Sequence, residues 1–334
     1  MTEKNKKDRK KVSQIDASVV TQRHTDAERF NLKQKLLRRL SHRSVIGYYF
    51  VGPAILFFLF VSIFPLTRTI VTSLTDKDDG VLKFVGIQHY LELLQDEWFW
   101  NSLFNIGIFT GSSLILHISI GLGLALLINE TWFSNTMRNF FRGLLILPWI
   151  FSTATAGLMW SLLYHPFGII NYIAVGILGF SAPLEFLQTP STAMASVVVV
   201  NTWKSYPFYM IIILGGLQVI PQELYEAAKV DGANAWHRFI YITLPQLRSL
   251  LIATSIIDII TTAGHVDLIR ILTRGGPFRS TETVAYYIYN KAILDGNMGY
   301  GAAISTLMLI ILSILIIIYL KIISRGGGTG ETTF

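Results

Sequence analysis

The chain contains no cysteine, which excludes a disulfide framework, a thiolate metal site and a cysteine nucleophile. It is also short of charge. Asp, Glu, Lys and Arg make up 15% of its 334 residues against 51% hydrophobic residues, and the mean hydropathy of +0.48 exceeds that of a soluble domain of this length. No G-x-x-x-x-G-K-[ST] phosphate loop occurs and the dipeptide Gly-Lys is absent, so no element for holding a nucleotide is visible. H-E-x-x-H and G-x-S-x-G are missing as well, which leaves hydrolytic chemistry and a metal site without a basis. The expectation is a membrane protein that is not itself an enzyme.

What charge there is sums to +7. The excess is concentrated before residue 45, in a stretch with few aromatics and no nucleic-acid motif, so a membrane surface is the expected partner and nucleic acid is not. Within it, Leu32, Leu36 and Leu40 recur at helical spacing among Arg29, Lys33, Lys35, Arg38, Arg39 and Arg43. That pattern describes a basic amphipathic helix suited to anionic lipid; a solvated leader is the alternative. The first apolar run starts near Val45 without a small-residue cleavage site and is expected to stay as an anchor.

About 20 apolar residues cross the hydrocarbon core as a helix, because only an internally hydrogen-bonded backbone is stable without water. Six segments qualify: 45–67, 103–128, 143–164, 192–217, 247–272 and 303–323. A seventh, 167–187, is interrupted by Gly176, Gly179 and Pro183 and is expected to be interfacial or re-entrant. The division is a cytoplasmic tail (1–44), a transmembrane domain (45–325) and a C-terminal tail (326–334). Lysine and arginine favour the cytoplasmic side of short loops. With both termini inside, Arg138, Arg142, Lys229, Arg238, Arg248, Lys321 and Arg325 fall on that side, and the outer segment 165–191 has no lysine or arginine. Other outer loops do carry Arg68, Lys77, Lys83, Arg274, Arg279 and Lys291, so the asymmetry rests on the tail.

Between the fourth and fifth spans the chain reads Glu226-Ala227-Ala228, three residues, Gly232, nine residues, then Ile242-Thr243-Leu244-Pro245. Pro221 suits the opening of a short helix, Asp231-Gly232 a turn, and Asn234 the cap of a second helix. Pro245 is expected to interrupt helical bonding and give a rigid elbow before the next span. This spacing resembles the EAA loop of bacterial ABC importer permeases. The resemblance implies the type I ABC importer permease fold: all-α, six transmembrane helices and a cytoplasmic coupling helix seated in a groove of a separate ATPase. It further implies that Glu226 anchors that helix, Ala227 and Ala228 allow close approach and Gly232 holds the angle, with Ile242, Leu244 and Pro245 completing the motif.

The resemblance covers most of the chain and points to the carbohydrate branch. Phe84-Val85-Gly86 with Tyr90, Phe99-Trp100-Asn101-Ser102-Leu103, Asp267-Leu268-Ile269, Gly275-Gly276-Pro277, Thr281-Glu282-Thr283 and Gly299-Tyr300-Gly301-Ala302-Ala303 all look like that branch. Where the branch often has an aromatic before the aspartate, this chain has Val266. Implied partners are a second homologous permease, two ATP-binding subunits that hold ATP and Mg, an extracytoplasmic solute-binding protein and the lipid bilayer. No cofactor is implied in this chain. The implied place is a bacterial or archaeal cytoplasmic (inner) membrane.

Ionisable residues at membrane depth are costly and mark functional candidates. At about 1.5 Å per residue, Lys204 lies about 18 Å along the fourth span and Asp258 about 16 Å along the fifth. Both approach the midplane of a core about 30 Å thick. They either pair or line one aqueous cavity with Asn201, Trp203 and Tyr206 as sugar-facing groups, or act as interhelical glue. His265 and Asp267 fall about 27 and 30 Å along the same helix, at an outer mouth with Gly275, Gly276 and Pro277. His117, inside the second span, is expected to be a hydrogen-bonded packing residue. A sugar or oligosaccharide is the expected solute, with glycerol phosphate or a glycerophosphodiester as the alternative within the family. An ion-coupled transporter or channel predicts repeated halves, which the sequence does not display. A membrane scaffold would function without any solute path.

Overall fold

The computed structural model describes residues 43–78, 81–130 and 134–325; the amphipathic helix expected around residues 32–40 and the C-terminal tail lie outside them. Contacts divide the chain after residue 68 into two units. The first contains most of helix α1 (Arg43–Ser73), with Pro53 and Pro65 inside it. Each proline removes an intrahelical donor. The Thr67 hydroxyl donates to the Ile63 and Phe64 carbonyls at 3.0 and 2.9 Å, and Phe50, Phe57 and Phe60 are exposed, as a lipid-facing helix requires.

The second unit opens with a hairpin in which β1 (Thr75–Asp78) pairs antiparallel with β2 (Val81–Phe84). Helices follow: α2 (Gln88–Leu94), α3 (Glu97–Asn129), α4 (Asn135–Ile150), α5 (Thr153–Leu163), α6 (Ile169–Asn171), α7 (Pro190–Val219), α8 (Gln222–Val230), α9 (Ala235–Arg238), α10 (Leu244–Ala263), α11 (Asp267–Leu272), α12 (Val284–Tyr289) and α13 (Met298–Arg325). Wider π-helical turns extend α6, join α9 to α10 and extend α12. Among the described residues five helices are long and apolar enough to cross a membrane, and the pair α4–α5 adds a sixth crossing if its two halves count as one.

α3 is the pillar of this unit. The Asp96 carboxylate starts it by accepting from the N–H groups of Trp98 and Phe99 at 3.0 and 3.4 Å, filling donors that a helix start leaves open. The same carboxylate accepts the hydroxyls of Tyr287 on α12 and Tyr300 on α13, the latter at 2.6 Å. Burial alone would raise Asp96, yet these hydroxyls and the two backbone donors outweigh it and hold the carboxyl below its ordinary range. Further along, Phe109, Ile106 and Ala125 each enter a different apolar cluster, shared with α7 and α11, with α12 and α13, and with α7 and α10 respectively.

Three expectations change. The segment 143–164 is not one straight span, because α4 and α5 meet at 94°. Pro148 weakens the end of α4, and Ser152 starts a new helix by accepting from the Thr155 N–H at 3.1 Å. The segment 247–272 is likewise not one helix. α10 ends at Ala263 with Gly264 as its cap, so His265 sits in the break and Asp267 opens α11. Finally, Pro245 makes no elbow: residues Ala235–Ala263 form one helical run. The π-helical turn Phe239–Thr243 runs directly into Leu244-Pro245, a wider turn that accommodates a residue lacking an N–H within the run. The segment 167–187 is no span, as expected: α6 and its π-helical turn end by Ile177.

Gly121 sets the approach of α3 to α7, since a Cβ there would lie 2.8 Å from Tyr209 Cβ and 3.0 Å from the Met210 backbone nitrogen. Gly121→Val is expected to cost about 1–3 kcal/mol through overpacking, read as a lowered thermal midpoint of the purified protein.

Candidate functional site

Two places concentrate polar and motif residues. The first is the loop between α7 and α10, in which no side chain of α8 or α9 is buried. Its motif spacing has a local cause. The Gly232 N–H donates to the Lys229 carbonyl at 3.1 Å and the Ala233 N–H to the Ala228 carbonyl at 2.8 Å, the paired bonds of a Schellman ending. That ending needs a left-handed residue four positions after Ala228, and Gly232 supplies it at φ +79°. A Cβ at Gly232 would meet nothing within 4 Å, so backbone conformation and not space demands glycine. Asn234 then caps α9 by accepting from the His237 N–H at 2.9 Å, and Tyr225 bonds Thr243 at 3.0 Å, closing α8 onto the π-helical turn that follows α9.

Glu226 and Ala227 are exposed and Ala228 is half-buried. Ala228, Gly232, Arg238 and Ile242 line a cleft of about 360 Å³. Trp236 and Tyr241 beside it are 65% and 73% exposed. A loop with large aromatics turned outward around an open cleft has the composition of an interface core.

The second place lies within the helices. The Asp258 carboxylate on α10 is buried, and its partner is the equally buried His117 of α3, with Nδ1 at 3.0 and 3.1 Å from the two carboxylate oxygens. Thr262 donates to the same carboxylate at 2.8 Å, and the Tyr209 ring stacks on the imidazole at 5.0 Å. Among the described residues no ion pair joins Lys204 to Asp258, so that option of the sequence reading is replaced by the His117 pair. His117 is hydrogen-bonded, as expected.

The remaining candidates are spread over α7. Asn201 is buried in the α3–α7 seam and donates to Ser113 at 3.0 Å. Trp203 packs between Phe151 and Trp160 at the bend of α4 and α5, with centroids 6.0 and 5.7 Å away. Tyr206 donates to the Leu145 carbonyl at 3.2 Å, and Lys204 is half-buried.

The mouth motifs converge, although they are far apart in sequence. Asn101 and Asn105 both donate to the Arg279 carbonyl, at 3.1 and 2.9 Å, and Asn105 also reaches the Glu282 carbonyl at 3.1 Å. Arg274, Gly275, Phe278 and Arg279 have positive φ, and Gly276–Pro277 is cis. Burial pushes the Glu282 carboxyl up, opposed by the Arg279 charge and the Asn290 amide. His265 is half-buried beside this loop's helix, and Asp267 is exposed with Arg270 at 3.5 Å. Sequence reasoning missed Asp96, Tyr287 and Thr262; only the i, i+4 spacing of Asp258 and Thr262 signalled any of them.

A polytopic helical chain with a buried polar node and an outward-facing helical loop has the form of a transport permease. Residues 117–326 match the family described as binding-protein-dependent transport system inner membrane component. The chain is 35% identical to the trehalose/maltose transport system permease protein of Thermococcus litoralis, covering 87% of this chain and 98% of that protein. It is 31% identical to the lactose transport system permease protein of Rhizobium radiobacter (81% and 91% covered). It is also 31% identical to the sn-glycerol-3-phosphate transport system permease protein of Agrobacterium fabrum (80% and 90%). A bacterial ABC transporter importing the acidic polysaccharide alginate shares the fold, with TM-score 0.73 at 23% identity over 87% of this chain and 99% of that one. A second structure of a bacterial alginate ABC transporter, in complex with an alginate pentasaccharide-bound periplasmic protein, gives TM-score 0.74 at the same identity over 89% and 99%. The chain belongs to the binding-protein-dependent permease family. It is the membrane-embedded, non-catalytic permease subunit of an ABC importer.

Removing one member of a buried pair strands the other, at a cost of about 3–5 kcal/mol, whereas replacing both with apolar residues is often near neutral. His117→Leu is therefore expected to lower the unfolding midpoint of the protein in lipid more than the double variant His117→Leu/Asp258→Leu does.

Proposed function

We propose that this subunit forms half of the translocation path for a sugar or oligosaccharide and is driven through the loop from Glu226 to Pro245 by a separate ATPase. The observation that carries the coupling is the Schellman ending at Gly232, which fixes α8 against α9 while leaving their outer faces open. In this reading Glu226, Ala227 and Ala228 seat the loop on the ATPase, Gly232 holds the angle between α8 and α9, and Ile242, Leu244 and Pro245 carry the continuous run from the loop into the span. The similarity to maltose, trehalose and lactose permeases supports the solute class. Glycerol phosphate remains a second reading because of the third relative.

The complete reading has six spans, with α4 and α5 as one bent crossing, in a cytoplasmic (inner) membrane. Residues 1–44 form a basic cytoplasmic tail, 45–325 the permease domain and 326–334 a cytoplasmic C-terminal tail. A second homologous permease supplies the other half of the path. Two ATP-binding subunits hold ATP and Mg, this chain carries no cofactor, and an extracytoplasmic binding protein delivers solute. Asn201, Trp203, Lys204, Tyr206 and Asp258 belong to the path or its support. His265, Asp267, Gly275, Gly276 and Pro277 frame the mouth.

A left-handed residue with a side chain costs about 1–2 kcal/mol, less for asparagine. Gly232→Val is therefore expected to lower ATP-driven uptake by the assembled transporter in liposomes about 5- to 30-fold, while Gly232→Asn loses less. A Gly232→Val complex that assembles and transports normally would falsify coupling through this loop. Solute class is tested on the unsubstituted complex by competition. Maltose-type oligosaccharides are expected to suppress uptake, and suppression by glycerol 3-phosphate alone favours the second reading.

A further inference from the structure

We propose that the hairpin and helix ahead of α3 form a shelf that lies in the headgroup–acyl boundary of the bilayer. All four β2 side chains are exposed, Leu82 and Phe84 at 73% and 78%. Three of the four are apolar and the fourth is Lys83, a charge that guards the strand edge but leaves the apolar side chains uncovered. After the Gly86 turn, Ile87, Leu91 and Leu94 are also exposed, at i, i+4 and i+7, the spacing of one helix face. The other side of α2 buries His89 and Leu93 against the core. Gln88 and Glu92 bond each other at 2.8 Å off the apolar stripe. The helix is thus held by one face and presents a second apolar face outward.

Its position decides what covers that face. The Trp100 indole N–H donates to the Leu94 carbonyl at 3.0 Å, so the end of α2 rests on a tryptophan of α3. Trp98, also half-exposed, lies beneath the Arg279 guanidinium at 4.2 Å. Two tryptophans at the head of an apolar 33-residue helix mark a membrane–water interface. Beyond them Phe104 and Ile108 of α3 are exposed and line a cleft of about 670 Å³ that α3 shares with α7 and Phe278. The exposed apolar side chains of α2 and β2 thus adjoin the tryptophans that begin a membrane-crossing helix, at the level where such residues sit between water and hydrocarbon.

The absence of cysteine makes the test direct. In the complete transporter in lipid nanodiscs, nitroxides are attached at L82C, L91C and L94C, and the unsubstituted complex provides the background from partner cysteines. Collision with oxygen, which concentrates in lipid, is compared with collision with a water-soluble nickel chelate. The expected oxygen-to-nickel ratio at these sites is several-fold above that at F278C and below that at I115C. A ratio matching F278C shows a hydrated surface. Low collision with both reagents shows a protein cover, whether a second permease or the binding protein. Either result overturns the proposal.

Discussion

Inside hydrocarbon a backbone N–H or C=O without a partner costs several kcal/mol, so a membrane helix cannot stop without something to replace its missing bonds. Several helix starts among the described residues are met by a side chain. Asp96 takes the first N–H groups of α3, Ser152 takes one at the 94° bend, and Asn234 takes one at α9. At Gly264 the His265 N–H returns to the Thr262 carbonyl at 3.1 Å. Capped ends allow α3 to keep its full length, and that length lets a single helix contribute to all three apolar clusters.

The same constraint explains which polar side chains reach between helices. On α10 the hydroxyls of Thr254, Ser255 and Thr261 turn back onto carbonyls of their own helix, so they need no partner elsewhere. A carboxylate has no proton to return in this way when ionised. Asp258 must be met from outside, and α3 meets it with His117. The pair ties the pillar to the one long helical run that leads out to the exposed loop. Its chemistry is positional: two buried groups fix the rotation of both helices about their axes, which apolar contacts alone leave loosely set.

The apolar runs were legible because length against bilayer thickness is a one-dimensional quantity. α1, α3, α7 and α13 extend beyond the sequence bounds by a turn or so, where polar residues remain helical outside the core. The Glu226 to Gly232 spacing was legible because a Schellman ending is made of bonds local to the loop. The bend at Ser152 was not, since hydropathy is continuous across Phe151 and only Pro148 hinted at it. Nor was the partner of Asp258. Counting residues gives depth along a helix but not its rotation, and each residue turns the side chain by about 100°. Lys204 and Asp258 share a level without facing one another, while His117 faces the carboxylate because α3 packs against α10.

The unbroken run from Ala235 to Ala263 has a mechanical meaning. A hinged connection would absorb a push by bending at Pro245. A continuous helix of 29 residues, about 43 Å at 1.5 Å per residue, resists bending and carries load along and around its axis. The π-helical turn at Phe239–Thr243 is its one locally underwound stretch, which makes it compliant in torsion while it stays stiff in compression. Trp236 and Asp258 sit about 33 Å apart on this one shaft, so a displacement at the loop end would reach the His117 contact as sliding and twisting and not as a bend.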